Sequence, residues 1–140
     1  MPTYSKVMNL KILLVEDDEI EKLKFERALK KISSPHTVIK AANGEEALSI
    51  CRDILPNLIL LDLNMPKMNG LEFLDILRAD ENLKFMPTVI FSTSNNHQDM
   101  INAYKVGIAG YVVKPLHYSD YVNQIEKIID YWSINELVSL

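Results

Sequence analysis

The chain has 140 residues, 48% of them hydrophobic and 24% charged, with a net charge of -4. That length and composition suit one globular domain around one core and exclude a disordered chain. The mildly acidic balance provides no general field for nucleic acid or anionic lipid, and the single cysteine, Cys51, excludes an internal disulfide or a multi-cysteine metal site.

In chain order, MPTYSKVMN has no apolar h-region and reads as a flexible leader over residues 1–9, not a signal peptide. No later run approaches the roughly 20 apolar residues of a membrane span, so a cytoplasmic chain without membrane contact is expected. KILLV (Lys11 to Val15) is the first predicted strand. EIEKLKFERALKKI follows with Phe25, Ala28, Leu29 and Ile32 at helical spacing, and SSPH ends it because proline cannot continue a helix. TVIKA is a second, more polar strand. NGEEALSICRDIL then puts Ala47, Leu48, Cys51, Ile54 and Leu55 on one helical face.

LILL (Leu58 to Leu61) is apolar throughout, as expected of a strand buried on both sides. Leu71, Leu74 and Leu77 mark a helix beginning near Gly70, and TVIF (Thr88 to Phe91) is the fourth strand. Gln98 to Val106 is a weakly amphipathic helix, and GYVV (Gly110 to Val113) is the fifth strand. Ser119 to Trp132 is the last helix, with Ser119 as its expected N-cap and Val122, Ile125, Ile129 and Trp132 as its buried stripe. Five strand–helix units predict an α/β fold, a doubly wound parallel sheet with helices on both faces. Ligands in such folds bind beyond the carboxyl ends of the strands.

The residues at those ends are chemically coherent. The first strand runs into Glu16, Asp17 and Asp18, the third into Asp62, the fourth into Ser92, Thr93 and Ser94, and the fifth into Lys114 and Pro115. Crowded carboxylates repel unless a cation joins them, and oxygen ligands favour a hard cation such as Mg2+. Asp62 then serves as both ligand and nucleophile, accepting a phosphoryl group as an aspartyl phosphate. Asn64, just past it, is the candidate for a backbone carbonyl ligand. Lys114 supplies a compact positive charge to one phosphoryl oxygen and Ser92 a hydroxyl to another.

Taken singly, each of these residues has an ordinary explanation. Asp18 is assigned one, as the N-cap of the first helix. Asp62 alone would be a turn former, Ser92 a strand-end hydroxyl and Lys114 a surface lysine; their joint placement argues otherwise. His36, His97 and His117 show no ligand spacing and read as surface histidines, and Cys51 as a small core residue.

The motifs LLVEDD, LLDLNMPKMNG, VIFSTS and GYVVKP, in this order from about Leu10 to Trp132, resemble the receiver domain of two-component response regulators. The resemblance implies a flavodoxin-like sheet of order 2-1-3-4-5 with five helices, spanning residues 10–132, with 133–140 as a C-terminal tail. It implies Asp62 as phospho-acceptor; Glu16, Asp17, Asp62 and the Asn64 carbonyl around Mg2+, or Mn2+ in its place; and Ser92, Lys114 and Tyr111 as the phosphoryl-contacting and switch residues. It implies a cis bond before Pro115, and rate tuning by Thr93, Ser94 and Asn64. Ser94 offers no carboxylate or amide to orient water, which predicts a long-lived phosphorylated form. The expected partner is a sensor histidine kinase or histidine phosphotransfer protein. The expected output is a changed surface over the fourth helix, fifth strand and fifth helix. Beyond its own phosphorylation and dephosphorylation the chain is expected not to be an enzyme.

VIFSTS with the terminal IIDYW also resembles the small stand-alone regulators paired with bacterial phytochromes and related kinases. YWSINELVSL is too short to bind DNA by itself, so output through protein contact is expected, including a homodimer through the fourth-helix to fifth-helix face. Exposed parts of Tyr121, Tyr131 and Trp132 would serve that face. Three rivals share parts of the pattern. A phosphorylation-independent scaffold would lack an acid, the acceptor or the lysine. A haloacid-dehalogenase-like phosphatase needs a second acid where Asn64 stands. A flavodoxin-like electron carrier needs a hydroxyl- and Gly-rich loop where EDDEIEK stands.

Overall fold

Leu58 to Leu61 are all buried, and the strand they form lies at the centre of a five-stranded parallel sheet. The strands are β1 (Lys11–Val15), β2 (Thr37–Ala41), β3 (Leu58–Leu61), β4 (Thr88–Ser92) and β5 (Gly110–Val113), in the spatial order β2-β1-β3-β4-β5. The helices are α1 (Glu19–Lys31), α2 (Gly44–Ile54), α3 (Gly70–Ala79), α4 (His97–Val106) and α5 (Tyr118–Ser133). The computed structural model describes residues 8–65 and 68–138. Most of the expected leader, the last two residues of the expected tail, and Pro66 and Lys67 of the loop after Asp62 lie outside the described residues.

The side-chain period of two divides the core. Leu13, Val15, Ile59, Leu61 and Ile90 face α2, α3 and α4, with Cys51, Phe73 and Leu77. Ile12, Leu14, Leu58, Leu60, Val89 and Phe91 face α1 and α5, with Phe25, Tyr121 and Ile129. β3 serves both layers, which is why its sequence is apolar without alternation. β2 is an edge strand, and its Thr37 and Lys40 are exposed. Met8 and Leu137, from the stretches expected as leader and tail, pack against the α1–α5 layer, and the Met8 N–H donates to the Ser133 carbonyl at 2.9 Å.

Local chemistry sets the helix ends. Asp18 caps α1, accepting from the amides of Ile20 and Glu21 at 2.8 and 3.2 Å. Asn69 and Glu72 close a capping box on α3. α2 ends on Leu55 in the left-handed region, φ 55°. α4 ends on Gly107, φ 111°, whose carbonyl accepts from Arg78 Nε at 2.8 Å. The same guanidinium donates to the Lys84 and Met86 carbonyls and to the Thr88 hydroxyl, at 3.3, 2.9 and 3.1 Å.

Four expectations are corrected. α5 begins at Tyr118 with His117 in the cap position and no side-chain cap, so Ser119 is inside the helix; Tyr118 stacks on Tyr121 at 6.2 Å in that register. Tyr121 is only 1% exposed, because its ring turns inward to Phe91 at 5.4 Å. His36 is half-buried, not a free surface histidine, and its Nδ1 accepts from the Leu10 amide at 2.8 Å. The fourth strand runs one residue further than expected, to Ser92, because the Lys114 amide donates to the Ser92 carbonyl at 2.8 Å and extends the ladder.

Candidate functional site

Parallel register brings the strand ends into line. Val15 is abreast of both Ala41 and Leu61, and Ser92 is abreast of Val113. Glu16 and Asp62 therefore leave the sheet side by side, and Lys114 follows one residue past the Ser92–Val113 pair. The Asp62 backbone is closely backed by α3: a Cβ on Gly70 would stand 2.7 Å from the Asp62 carbonyl oxygen. Only glycine fits there, so MNG is a packing requirement as well as a turn.

Glu16, Asp17 and Asp62 each bring one carboxylate oxygen to a point where all three lie within 4.8 Å of one another. An oxygen-only donor set of this spacing fits a hard divalent cation. Ser92, fully buried, donates its hydroxyl to Asp62 Oδ1 at 2.9 Å, and the Asn64 amide approaches the same oxygen at 3.4 Å. Asn64 is exposed beside it.

Lys114 reaches back across the sheet to Glu16 Oε1 at 2.6 Å, with both side chains almost fully covered, 7% and 4% exposed. Burial pushes the Glu16 carboxyl up to about 7 against the opposing pull of Lys114, and the charge on Asp62 adds to the rise. Burial alone would lower the Lys114 ammonium, but Glu16, Glu21 and Asp62 outweigh it and hold it above its ordinary range. A 2.6 Å contact of this kind is an ion pair, in which burial leaves the carboxylate easier to protonate than an exposed one.

The bond before Pro115 is trans, since the described residues contain no cis peptide, and this corrects the expected cis-proline. Lys114 faces the site without it, held by the hydrogen bond from its backbone N–H to the Ser92 carbonyl and by its ion pair with Glu16. Tyr111 is half-buried; its hydroxyl donates to the Ser94 carbonyl at 2.9 Å and fastens the β4–α4 loop to β5. The Ser94 hydroxyl donates to Asp99 Oδ2 in the first turn of α4 at 3.1 Å, and the Ser94 amide donates to Ser92 Oγ at 3.2 Å. Thr93 is exposed at the rim. Hydrogen bonds thus run from Asp62 through Ser92 and Ser94 to α4.

The sequence pattern missed Glu21, whose Oε2 lies 3.3 Å from the Lys114 ammonium. Its position one turn beyond Asp17 was the available signal. Asp99 and Phe91, the latter 5.5 Å below the lysine ammonium, were missed as well. Burial pushes the Cys51 thiol up to about 12, as befits a core residue. His97 and His117 are exposed and take no part.

A sheet of this order with acids at its open edge defines the receiver class, and the comparisons agree. The model of the response regulator receiver domain matches residues 12–126, so the chain belongs to that family of two-component signalling proteins. Response regulator Rcp1 of Synechocystis sp. is 32% identical over 128 residues, covering 86% of this chain and 87% of Rcp1. The crystal structure of the phosphorylated cyanobacterial phytochrome response regulator RcpA superposes with a TM-score of 0.85 at 34% identity, over 94% of this chain and 99% of RcpA. The Mn2+-bound form of Rcp1 gives 0.82 at 30% identity, over 93% and 99%. The chain thus resembles stand-alone phytochrome regulators as well as the family at large. Among the described residues no helix is long and apolar enough to cross a membrane.

Proposed function

We propose that the chain, with residues 10–132 as its receiver domain, is a phosphorylation-dependent response regulator in which Asp62 accepts a phosphoryl group. The donor is a histidine kinase or a histidine phosphotransfer protein. The observation that carries this reading is the meeting of three acid oxygens within 4.8 Å on the edge where Ser92 donates to Asp62 and Lys114 lies against Glu16. A carboxylate oxygen of Asp62 attacks the phosphorus of a phosphohistidine. The P–N bond breaks as the O–P bond forms, and the imidazole leaves and takes a proton from water. Glu16, Asp17, Asp62 and the Asn64 carbonyl would hold Mg2+, or Mn2+ in its place. When bound, the cation offsets the charge on the phosphoryl oxygens. Ser92 and Lys114 provide a hydroxyl and an ammonium to two of those oxygens, while Thr93, Ser94 and Asn64 line the approach of water. The Ser94 hydroxyl is already committed to Asp99, which favours a long-lived phosphorylated form.

The phosphoryl group brings roughly -1.5 to -2 charges. It draws Ser92, and with it the Ser92–Ser94–Asp99 chain and Tyr111, toward a second packing of α4, β5 and α5. That face would meet a target or a second copy of the chain. Phosphorylated RcpA and Mn2+-bound Rcp1 support this reading as similar proteins.

The test is intact mass after incubation with acetyl phosphate and Mg2+, for wild type and Asp62→Asn. One phosphoryl group is expected on wild type alone, and EDTA abolishes it. Wild type that gains no mass and does not respond to beryllofluoride with Mg2+ would leave the phosphorylation-independent scaffold as the reading.

A further inference from the structure

The Asp18 cap fixes the phase of α1, and Glu21, in its first turn, leans back over the strand ends. Its Oε2 is covered from solvent and has no hydrogen-bond partner among the described residues. The charge that offsets it is the Lys114 ammonium at 3.3 Å. Lys114 therefore lies between two carboxylates, Glu16 at 2.6 Å and Glu21 at 3.3 Å. The hydrogen bond that the ammonium makes goes to Glu16, while Asp62 Oδ1 is served by Ser92.

We infer that Glu21 is a positioning residue that holds Lys114 toward α1 and so acts as a brake on phosphoryl binding at Asp62. This rests on the reading of Asp62 as phospho-acceptor. A phosphoryl oxygen on Asp62 competes for the same ammonium. As Lys114 turns to it, Glu21 loses its counter-charge in a covered position, which is unfavourable. The Glu21 side chain is 26% exposed, so it has a route to water. Its departure alters the first turn of α1 beside Ile20 and Leu23, which are 75% and 50% exposed. The phosphorylation state is thereby written on α1 as well as on α4.

The experiment uses the full chain with Glu21→Gln, which keeps shape and removes charge, and Glu21→Asp, which keeps charge. The first readout is labelling of Lys114 by trinitrobenzenesulfonate without metal, with peptide mass locating the site. The second is beryllofluoride affinity in saturating Mg2+, followed by NMR. Glu21→Gln is expected to label faster and to bind beryllofluoride roughly two- to fivefold more tightly, in line with a partly exposed ion pair. Its affinity for Mg2+ alone is expected to match wild type, and Glu21→Asp to return labelling toward wild type. Equal labelling of Glu21→Gln and wild type overturns the clamp. Weaker beryllofluoride binding overturns the brake and makes Glu21 a support for the lysine instead. Faster labelling in a protein whose wild type neither gains a phosphoryl group from acetyl phosphate nor responds to beryllofluoride overturns the phospho-acceptor reading, and the brake falls with it.

Discussion

His36 is tied to the chain ahead of β1 by a hydrogen bond of 2.8 Å. Its Nδ1 accepts from the Leu10 amide, so the neutral ring is the one the fold uses. Burial lowers its pKa from the ordinary 6.5, against the raising pull of Asp130. A depressed folded value means that the unfolded chain takes the proton first on acidification. The stabilising contribution is therefore intact above the unfolded value and is lost as pH falls through the folded one. Thermal melts of wild type are expected to show this loss below about pH 6.5, and His36→Gln, which keeps an acceptor that does not titrate, a flatter profile. Parallel profiles would mean that another group is responsible. At this scale much of the site was legible, because Glu16, Asp17, Asp62, Ser92 and Lys114 stand directly after apolar runs. Glu21 was not, because its contact with Lys114 depends on α1 and the end of β5 coming together in the fold, which no local pattern records.

Among the elements, strands and helix interiors were read correctly where apolar spacing was strong, and helix ends less well. The start of α5 was placed on Ser119 because serine is a good cap, yet packing of Tyr118 and Tyr121 against α1 and β4 sets the register. Lys24 stands over the Tyr121 ring at 4.3 Å and adds to that preference. A cap worth about 1 kcal/mol yields to the burial of a tyrosine ring. The C-terminus of α2 carries a different strain. Leu55 occupies the left-handed region at φ 55°, a position that glycine takes without penalty. Leu55→Gly is expected to be neutral or to stabilise the fold by up to about 1 kcal/mol, with the loss of a partly exposed side chain offsetting some of the gain. Urea denaturation measures it. Destabilisation beyond about 1 kcal/mol would show that the Leu55 side chain contributes more than its backbone costs.

For the molecule as a whole, β3 is the shared wall of two apolar layers, so neither layer has an independent core. Loss of packing on one side is expected to lower the stability of both. Leu60→Ala, on the α1–α5 side, is expected to cost about 2–5 kcal/mol in a single transition, whereas Leu116→Ala stays within about 0.5 kcal/mol. Leu60 is fully buried and Leu116 is 96% exposed. Trp132 fluorescence, which reports the α1–α5 layer, and far-ultraviolet circular dichroism, which reports the helices of both layers, should melt together; separate midpoints would mean that the layers unfold independently. This architecture was the most legible level of all, because a continuous apolar strand flanked by amphipathic helices admits few other arrangements.

The guanidinium of Arg78 gathers the end of α4, the approach to β4 and the Thr88 hydroxyl into one knot. The opposite end of α4 is held by the Ser94 and Asn96 contacts to Asp99. α4 is therefore a cantilever, clamped at the end remote from Asp62 and lightly tethered near it. A tilt of roughly ten degrees about the clamp moves the tip of a ten-residue helix by about 2.5 Å while its root stays in place. Small rearrangements at Ser92 are geared up at His97 and die away at Val106.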